Sequence, residues 1–402
     1  MKKLPQGRAR GAAPFGRAAE FAVTLLLTFT TYLGFYFIQP MLATIARHFQ
    51  IPPSRAGLLI TVAIAPFAVG PLIYGRVLKR LSLRKLLALL VPAGGLALAA
   101  CTFVPSFPLV LAFRLVQGIT LPGILMCLTA HIALRDSGSQ LQRSMALYAT
   151  TTTFGAFLGR VVGSYVSARF GWQATFLALG GLQLFTCLPM ALFIGDVREN
   201  GPAGADFGLA DIRAILSDKK LCSVLFIAPL CVFCSASIVN VIPFYLRSVD
   251  PKISDFTIGL FYLGGFAGSF AGLASKQLIR LFRGEWNVVA AGIILLIGAI
   301  QAMLARHVSM ALITMLGMSL GFALMNSTVP GILNRTTPFA KSLTNSVYLS
   351  FYYIFATVGT YLPLLAYTHF GFIAYDAIIL AVFVLNMGIV YAARRLSPLA
   401  GR

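Results

Sequence analysis

The sequence predicts an all-α membrane protein that crosses the bilayer about 12 times, in two bundles of six helices, and three observations carry that prediction. First, 58% of the 402 residues are hydrophobic and only 11% are charged, whereas a soluble chain spreads charges every few residues. Second, the charges fall in short clusters between long apolar runs, and about 12 spans of roughly 20 residues would use about 60% of the chain, leaving little for a soluble domain. Third, Lys and Arg segregate to one side of the alternating connections, as they do in cytoplasmic loops.

The elements follow in order. Residues 1–19 form a basic tail with Lys2, Lys3, Arg8, Arg10 and Arg17. The first helix, 20–47, is too long for the apolar core of a secretion signal and has no small-x-small cleavage site, so it is retained. The second, 54–78, starts after Pro52 and Pro53, and the third covers 83–103. Pro105 and Pro108 open the fourth, 106–134; the polar run from Asp136 to Gln142 separates it from the fifth, 142–168. Phe170 and Gly171 break before the sixth, 172–195, and the charged stretch 196–219 is the connecting loop. The second bundle, 220–395, repeats the scheme with helices at 220–246, 254–281, 286–305, 308–334, 340–368 and 371–395, followed by a tail at 396–402.

With both termini placed in the cytoplasm, 24 of the 32 Lys and Arg lie on the cytoplasmic side and 6 outside; Arg114 and Arg160 lie inside helices. The opposite orientation breaks the rule at almost every loop. The two bundles also resemble each other. A shift of 200 positions places Tyr148 on Tyr348, Gly159 on Gly359, Phe170 on Phe370 and Gly171 on Gly371, the pattern of two parallel repeats.

A net charge of +21 would point to nucleic acid in a soluble protein; here its first meaning is topological, and no nucleic-acid partner is expected. The six cysteines sit in or beside apolar runs, and Cys231 and Cys234 lack further ligands, so neither a metal site nor a cofactor is expected. The chain has no H-E-x-x-H, no G-x-S-x-G and no phosphate-cradling loop, so it is not read as an enzyme.

Several motifs resemble the major facilitator superfamily. Between the second and third helices, Gly75, Arg80, Arg84 and Lys85 match its G-x-x-x-D-R-x-G-R-R-K signature, with Lys79 in place of the acid and Ser82 in place of the second glycine. In the family that acid takes part in charge pairing that steadies one conformation, a lock for which this loop lacks the acid. Arg114, Gln117 and Gly118 are similar to its R-x-x-Q-G element. Gly155, Gly159 and Gly163 resemble the glycine motif of exporters, with Arg160 in place of the usual proline. Together with the run from Asn345 to Tyr353, this variant resembles bacterial inner-membrane exporters grouped with arabinose-efflux-like and drug:proton antiporter proteins. The resemblance implies a monomeric secondary carrier in the bacterial inner membrane, working by alternating access, with an export bias and a cavity lined mainly by helices 1, 4, 7 and 10.

A charge at the centre of a span costs roughly 2.5–3.5 kcal/mol on insertion scales, so Arg114 and Arg160 face a polar cavity or brace the bundle. Both lie about 12 Å from the outer ends of their helices. Gln117 shares the face of Arg114. Tyr32, Tyr36 and Gln39 form a polar stripe on the first helix; Ser235, Asn240 and Tyr245 on the seventh, Asn326 and Ser327 on the tenth, and Tyr348 and Tyr352 on the eleventh add candidates. None of the eleven acids is expected at mid-membrane depth, which favours an anionic or zwitterionic solute over a cation. His131 is the candidate for proton exchange; exchange against an anion is the other drive. A broad drug:proton antiporter and a lipid flippase on the same fold are the alternatives.

Overall fold

A computed structural model describes residues 16–78, 80–196 and 209–396. The expected basic tail before residue 16, Lys79, most of the connecting loop and the tail after residue 396 lie outside the described residues. Everything regular among the described residues is helical.

The spans are numbered in chain order. Span α1 (Arg17–His48) is a helix to Tyr36, a tight turn Gln39–Met41 containing Pro40, and a second helix from Leu42. Proline lacks the N–H that an uninterrupted ladder needs there. Span α2 (53–77) runs Pro53–Ile64, loosens at Ala65–Ala68 around Pro66, and resumes at Gly70–Val77. Then come α3 (Leu83–Ala100), α4 (Phe107–Arg135), α5 (Gly138–Phe170) and α6 (Trp172–Phe193). A short helix, Leu209–Ser217, leads to α7 (Lys219–Val249), whose first turn is capped by Asp218 accepting from the backbone N–H groups of Lys220 and Leu221. Span α8 (255–281) is capped by Ser254 and broken at Tyr262–Gly265, beside two adjacent glycines, and again near Ala274. Span α9 is Glu285–Ala305 and α10 is Val308–Thr336. Spans α11 (341–370) and α12 (372–395) form one run, Lys341–Arg395, bent at Gly371 (φ 80°, ψ −172°).

Eight helical segments are long and apolar enough to cross a membrane. One of them, Leu343–Arg395, has 53 residues, about 80 Å of helix against a core of about 30 Å, and holds two spans. Spans α2 and α8 are interrupted and α5 is rich in Thr, Ser and Gly, so the twelve expected spans are all present. The interruptions in α1, α2 and α8 correct the expectation of continuous helices there.

Glycine explains the closest packing. A Cβ on Gly159 would lie 2.6 Å from the carbonyl oxygen of Leu33, and one on Gly359 would lie 2.2 Å from that of Phe233. These contacts, α5 on α1 and α11 on α7, are related by the same shift of 200 positions. The corner between α5 and α6 also repeats, since Gly171 has φ 87° and Gly371 φ 80°. Both lie where L side chains are strained.

The two six-helix bundles meet along α2 against α11 and α5 against α8. Spans α3, α6, α9 and α12 lie outermost. Leu89, Phe185, Ile294 and Val384 on them are each more than half exposed, an apolar belt suited to lipid.

Candidate functional site

Between the bundles lies a cavity of about 510 Å³, within the range of small-molecule sites. Every lining residue belongs to α1, α2, α4, α5, α7, α8, α10 or α11. The lining is therefore wider than the four helices that the resemblance implied. It is mostly apolar and aromatic, and Arg160 is the one charged residue among the described residues that line it.

Arg160 is 7% exposed and is held on two sides. Its Nε donates to Gln39 Oε1 at 2.6 Å and its Nη1 to the Ala156 carbonyl at 2.9 Å. Gln39 is fixed in turn, because its Nε2 donates to Asn240 Oδ1 across the bundle interface at 3.1 Å. The guanidinium sits among rings: its Cζ is 4.5 Å from the centroid of Tyr36, 5.4 Å from Tyr262 and 5.6 Å from Phe157. Such faces favour a cation. Nη2 has no protein partner among the described residues and is not sealed from the cavity. Arg160 thus carries a positive charge, unpaired with any carboxylate of the described residues, into a mostly apolar chamber.

Arg114 has a different environment. It is fully buried and absent from the lining. Its Nε donates to the Leu59 carbonyl at 3.2 Å, Nη2 to that of Phe35 at 3.5 Å, and Nη1 to Gln117 Oε1. Gln117 Nε2 donates to the Gly34 carbonyl at 2.8 Å. The pair ties α4 to α1 and α2 inside the first bundle.

Of the other candidates, Tyr32, Tyr36 and Gln39 line the cavity with Arg160. Asn240 stands one hydrogen bond behind it and also donates to the Thr360 carbonyl at 3.4 Å. Asn326 donates to the Phe322 carbonyl at 3.1 Å, and Tyr348 is buried against Tyr352; neither is in the lining. Gly155, Gly159 and Gly163 face α1, at Phe29, Leu33 and Phe37. Gly75 has open space around it, and Arg80, Arg84 and Lys85 are exposed, Arg84 donating to the Ala191 carbonyl at 2.7 Å.

His131 lies away from the cavity. Its Nε2 is 3.3 Å from Glu20, which also pairs with Arg135 at 2.6 Å and accepts from Gly195 N at 2.9 Å. Glu20 is buried, a burial not expected for a residue at a helix start, because α4 and the segment after α6 fold over it. Sequence reading also missed Tyr262, Tyr353 and Phe67 in the lining. The available signal was the aromatic pair Tyr352 and Tyr353 and the polar Thr360 on the face of α11.

One end of the cavity, the end opposite Arg17 and Arg395, is bridged between bundles. Beyond Gln39 and Asn240, Thr61 and Thr360 share a hydrogen bond at 2.8 Å, and Ser54 N donates to Thr368 at 3.1 Å. Farther out, buried Asp255 accepts from Thr44 at 2.6 Å, Ser167 at 2.8 Å and Arg247 at 2.7 Å. On the other side of the cavity the bundles touch through rings, Phe67 with Tyr353 and Phe154 and Phe157 with Phe266.

Comparison with known proteins agrees with this architecture. Residues 24–360 match the family model described as Major Facilitator Superfamily. An uncharacterized MFS-type transporter of Bacillus subtilis, YybF, is 23% identical over 360 residues, covering 87% of this chain and 88% of its own. Among solved structures, a bacterial homologue of the human lysosomal transporter Spinster, inward-facing and occupied, superposes with a TM-score of 0.77 at 15% identity, covering 96% of this chain and 98% of that one. The nucleoside transporter NupG gives 0.75 at 14% identity, with 92% and 98% covered. A family match over most of the length, on a chain of two six-helix bundles around a central chamber, has one reading: the chain belongs to the Major Facilitator Superfamily and is a multi-pass membrane transporter.

Proposed function

We propose that this transporter is a secondary carrier that moves a small anionic or zwitterionic solute through the central cavity by alternating access. The observation that carries the reading is Arg160: a buried cation with no carboxylate beside it among the described residues, one N–H edge open to a mostly apolar chamber. A charge left unpaired in such a place is expensive, and an anionic ligand offsets that expense. A lipophilic cation would meet the same charge with nothing to neutralise its own, which counts against the drug:proton antiporter alternative.

The orientation that keeps basic loops in the cytoplasm makes the bridged end the outer one. In this reading the described conformation is closed to the outside, and the solute enters and leaves the inner side until the bridges of Asp255, Asn240 and Thr360 part. The bundles, 20–195 and 220–395, rock about the cavity, and both termini are cytoplasmic. The bias toward export from the bacterial inner membrane rests on the glycine motif of α5. Protons taken up at His131 or a counter-transported anion supply the drive.

Uptake into proteoliposomes tests this. Labelled organic anions are accumulated in preference to lipophilic cations and sugars, and Arg160→Ala removes the uptake. A preference for lipophilic cations contradicts the reading.

A further inference from the structure

The geometry points to a narrower substrate class: an aromatic monocarboxylate, bound with its carboxylate on Arg160 and its ring among the tyrosines and phenylalanines of the cavity. This rests on the anionic reading above and adds charge number and shape to it. Charge number follows from Arg160 being alone. One guanidinium, with Nε and Nη1 engaged, has a single edge to offer. A second negative charge would be buried without a counter-charge, and an ammonium group would find no carboxylate among the described lining residues.

Shape follows from the walls. Tyr32, Phe67, Phe322, Tyr352 and Tyr353 present rings from four different helices around one chamber. Tyr353 already stacks toward Phe67, with centroids 5.1 Å apart. Aromatic pairs at such spacing are favoured over aliphatic ones beyond the area that they bury. Several lining hydroxyls are already occupied and offer little to a sugar: Thr152 and Thr153 bond the Ala149 carbonyl, Ser319 the Gly264 carbonyl, and Tyr262 the Val239 carbonyl. Thr31 and Ser235 are lining residues too, but their hydroxyl oxygens are sealed from the chamber and offer a solute nothing.

The test is titration calorimetry on the purified full-length protein with benzoate and 2-naphthoate. Cyclohexanecarboxylate, phthalate and benzamide are the comparison ligands that change ring aromaticity, charge number and charge, and phenylalanine adds an ammonium group on a two-carbon chain. The two aromatic acids bind, and each comparison ligand binds at least about tenfold more weakly. Arg160→Gln weakens 2-naphthoate about 30-fold or more. Tyr353→Leu, which leaves the charge intact, narrows the gap between benzoate and cyclohexanecarboxylate. If cyclohexanecarboxylate or phthalate binds as tightly as benzoate and Arg160→Gln still abolishes binding, the aromatic monocarboxylate class is wrong and the anionic reading stands. If benzamide equals benzoate and Arg160→Gln changes nothing, both are overturned. Absence of binding by both aromatic acids also overturns the class.

Discussion

At the scale of single residues, two arginines that look alike in the sequence have opposite surroundings. Arg114 gives its donors to two backbone carbonyls and to Gln117, with no edge left for a solute. Arg160 gives two and keeps one toward the cavity. Arg114→Ala therefore removes charged hydrogen bonds and leaves a void, costing about 2–4 kcal/mol, read as a lowered melting temperature in detergent. The same variant keeps the wild-type order of preference among ligands. Arg160→Gln behaves the other way: its melting temperature stays close to wild type, and solute binding is lost. If Arg114→Ala abolished binding without loss of stability, the assignment of the two roles would be wrong. The sequence marked both arginines as exceptional through the cost of burying charge. It could not separate them, because two of the three partners of Arg114 are backbone carbonyls of α1 and α2, invisible to any side-chain pattern.

At the scale of elements, close approach of helix backbones at glycine is the repeating device. Gly159 lies against Leu33 and Gly359 against Phe233, so α1–α5 and α7–α11 are the same joint used twice. Adding bulk at either position has no room to be absorbed, since the obstacle is backbone. Gly159→Val and Gly359→Val should each cost about 1–3 kcal/mol, and lowered melting midpoints of similar size in the two would support their equivalence. A change confined to one would argue against a shared joint. Much of this was legible in the sequence: the shift of 200 positions paired Gly159 with Gly359 and Gly171 with Gly371. The breaks inside α2 and α8 were not, because Pro66 and the pair Gly264 and Gly265 sit within apolar runs, where such residues are also tolerated in unbroken helices.

At the scale of the whole molecule, polar bridges between the bundles cluster at one end of the cavity. Asp255 is the centre of that bridge, joining Thr44 and Ser167 of the first bundle to Arg247 of the second. The carboxylate begins α8 and Arg247 ends α7, so both sat in the sequence as ordinary loop-edge charges; only folding brings Ser167 and Thr44 onto them. Asp255→Ala leaves Arg247 with a lost partner and weakens the closed state. Spin labels at positions 54 and 368, on opposite bundles, should then show a longer-distance population enlarged about tenfold for each 1.4 kcal/mol of lost closure. An unchanged distance distribution would remove Asp255 from the closing device.

The central claim is that Arg160 recognises an anion in this cavity while Arg114 only braces the bundle. Thermal stabilisation of the purified protein by a panel of organic anions, lipophilic cations, sugars and amino acids, in wild type, Arg114→Ala and Arg160→Ala, tests it most directly. The account predicts stabilisation by an anion, retained in Arg114→Ala relative to its own baseline and absent in Arg160→Ala. Stabilisation by cations or sugars that persists in Arg160→Ala would contradict it.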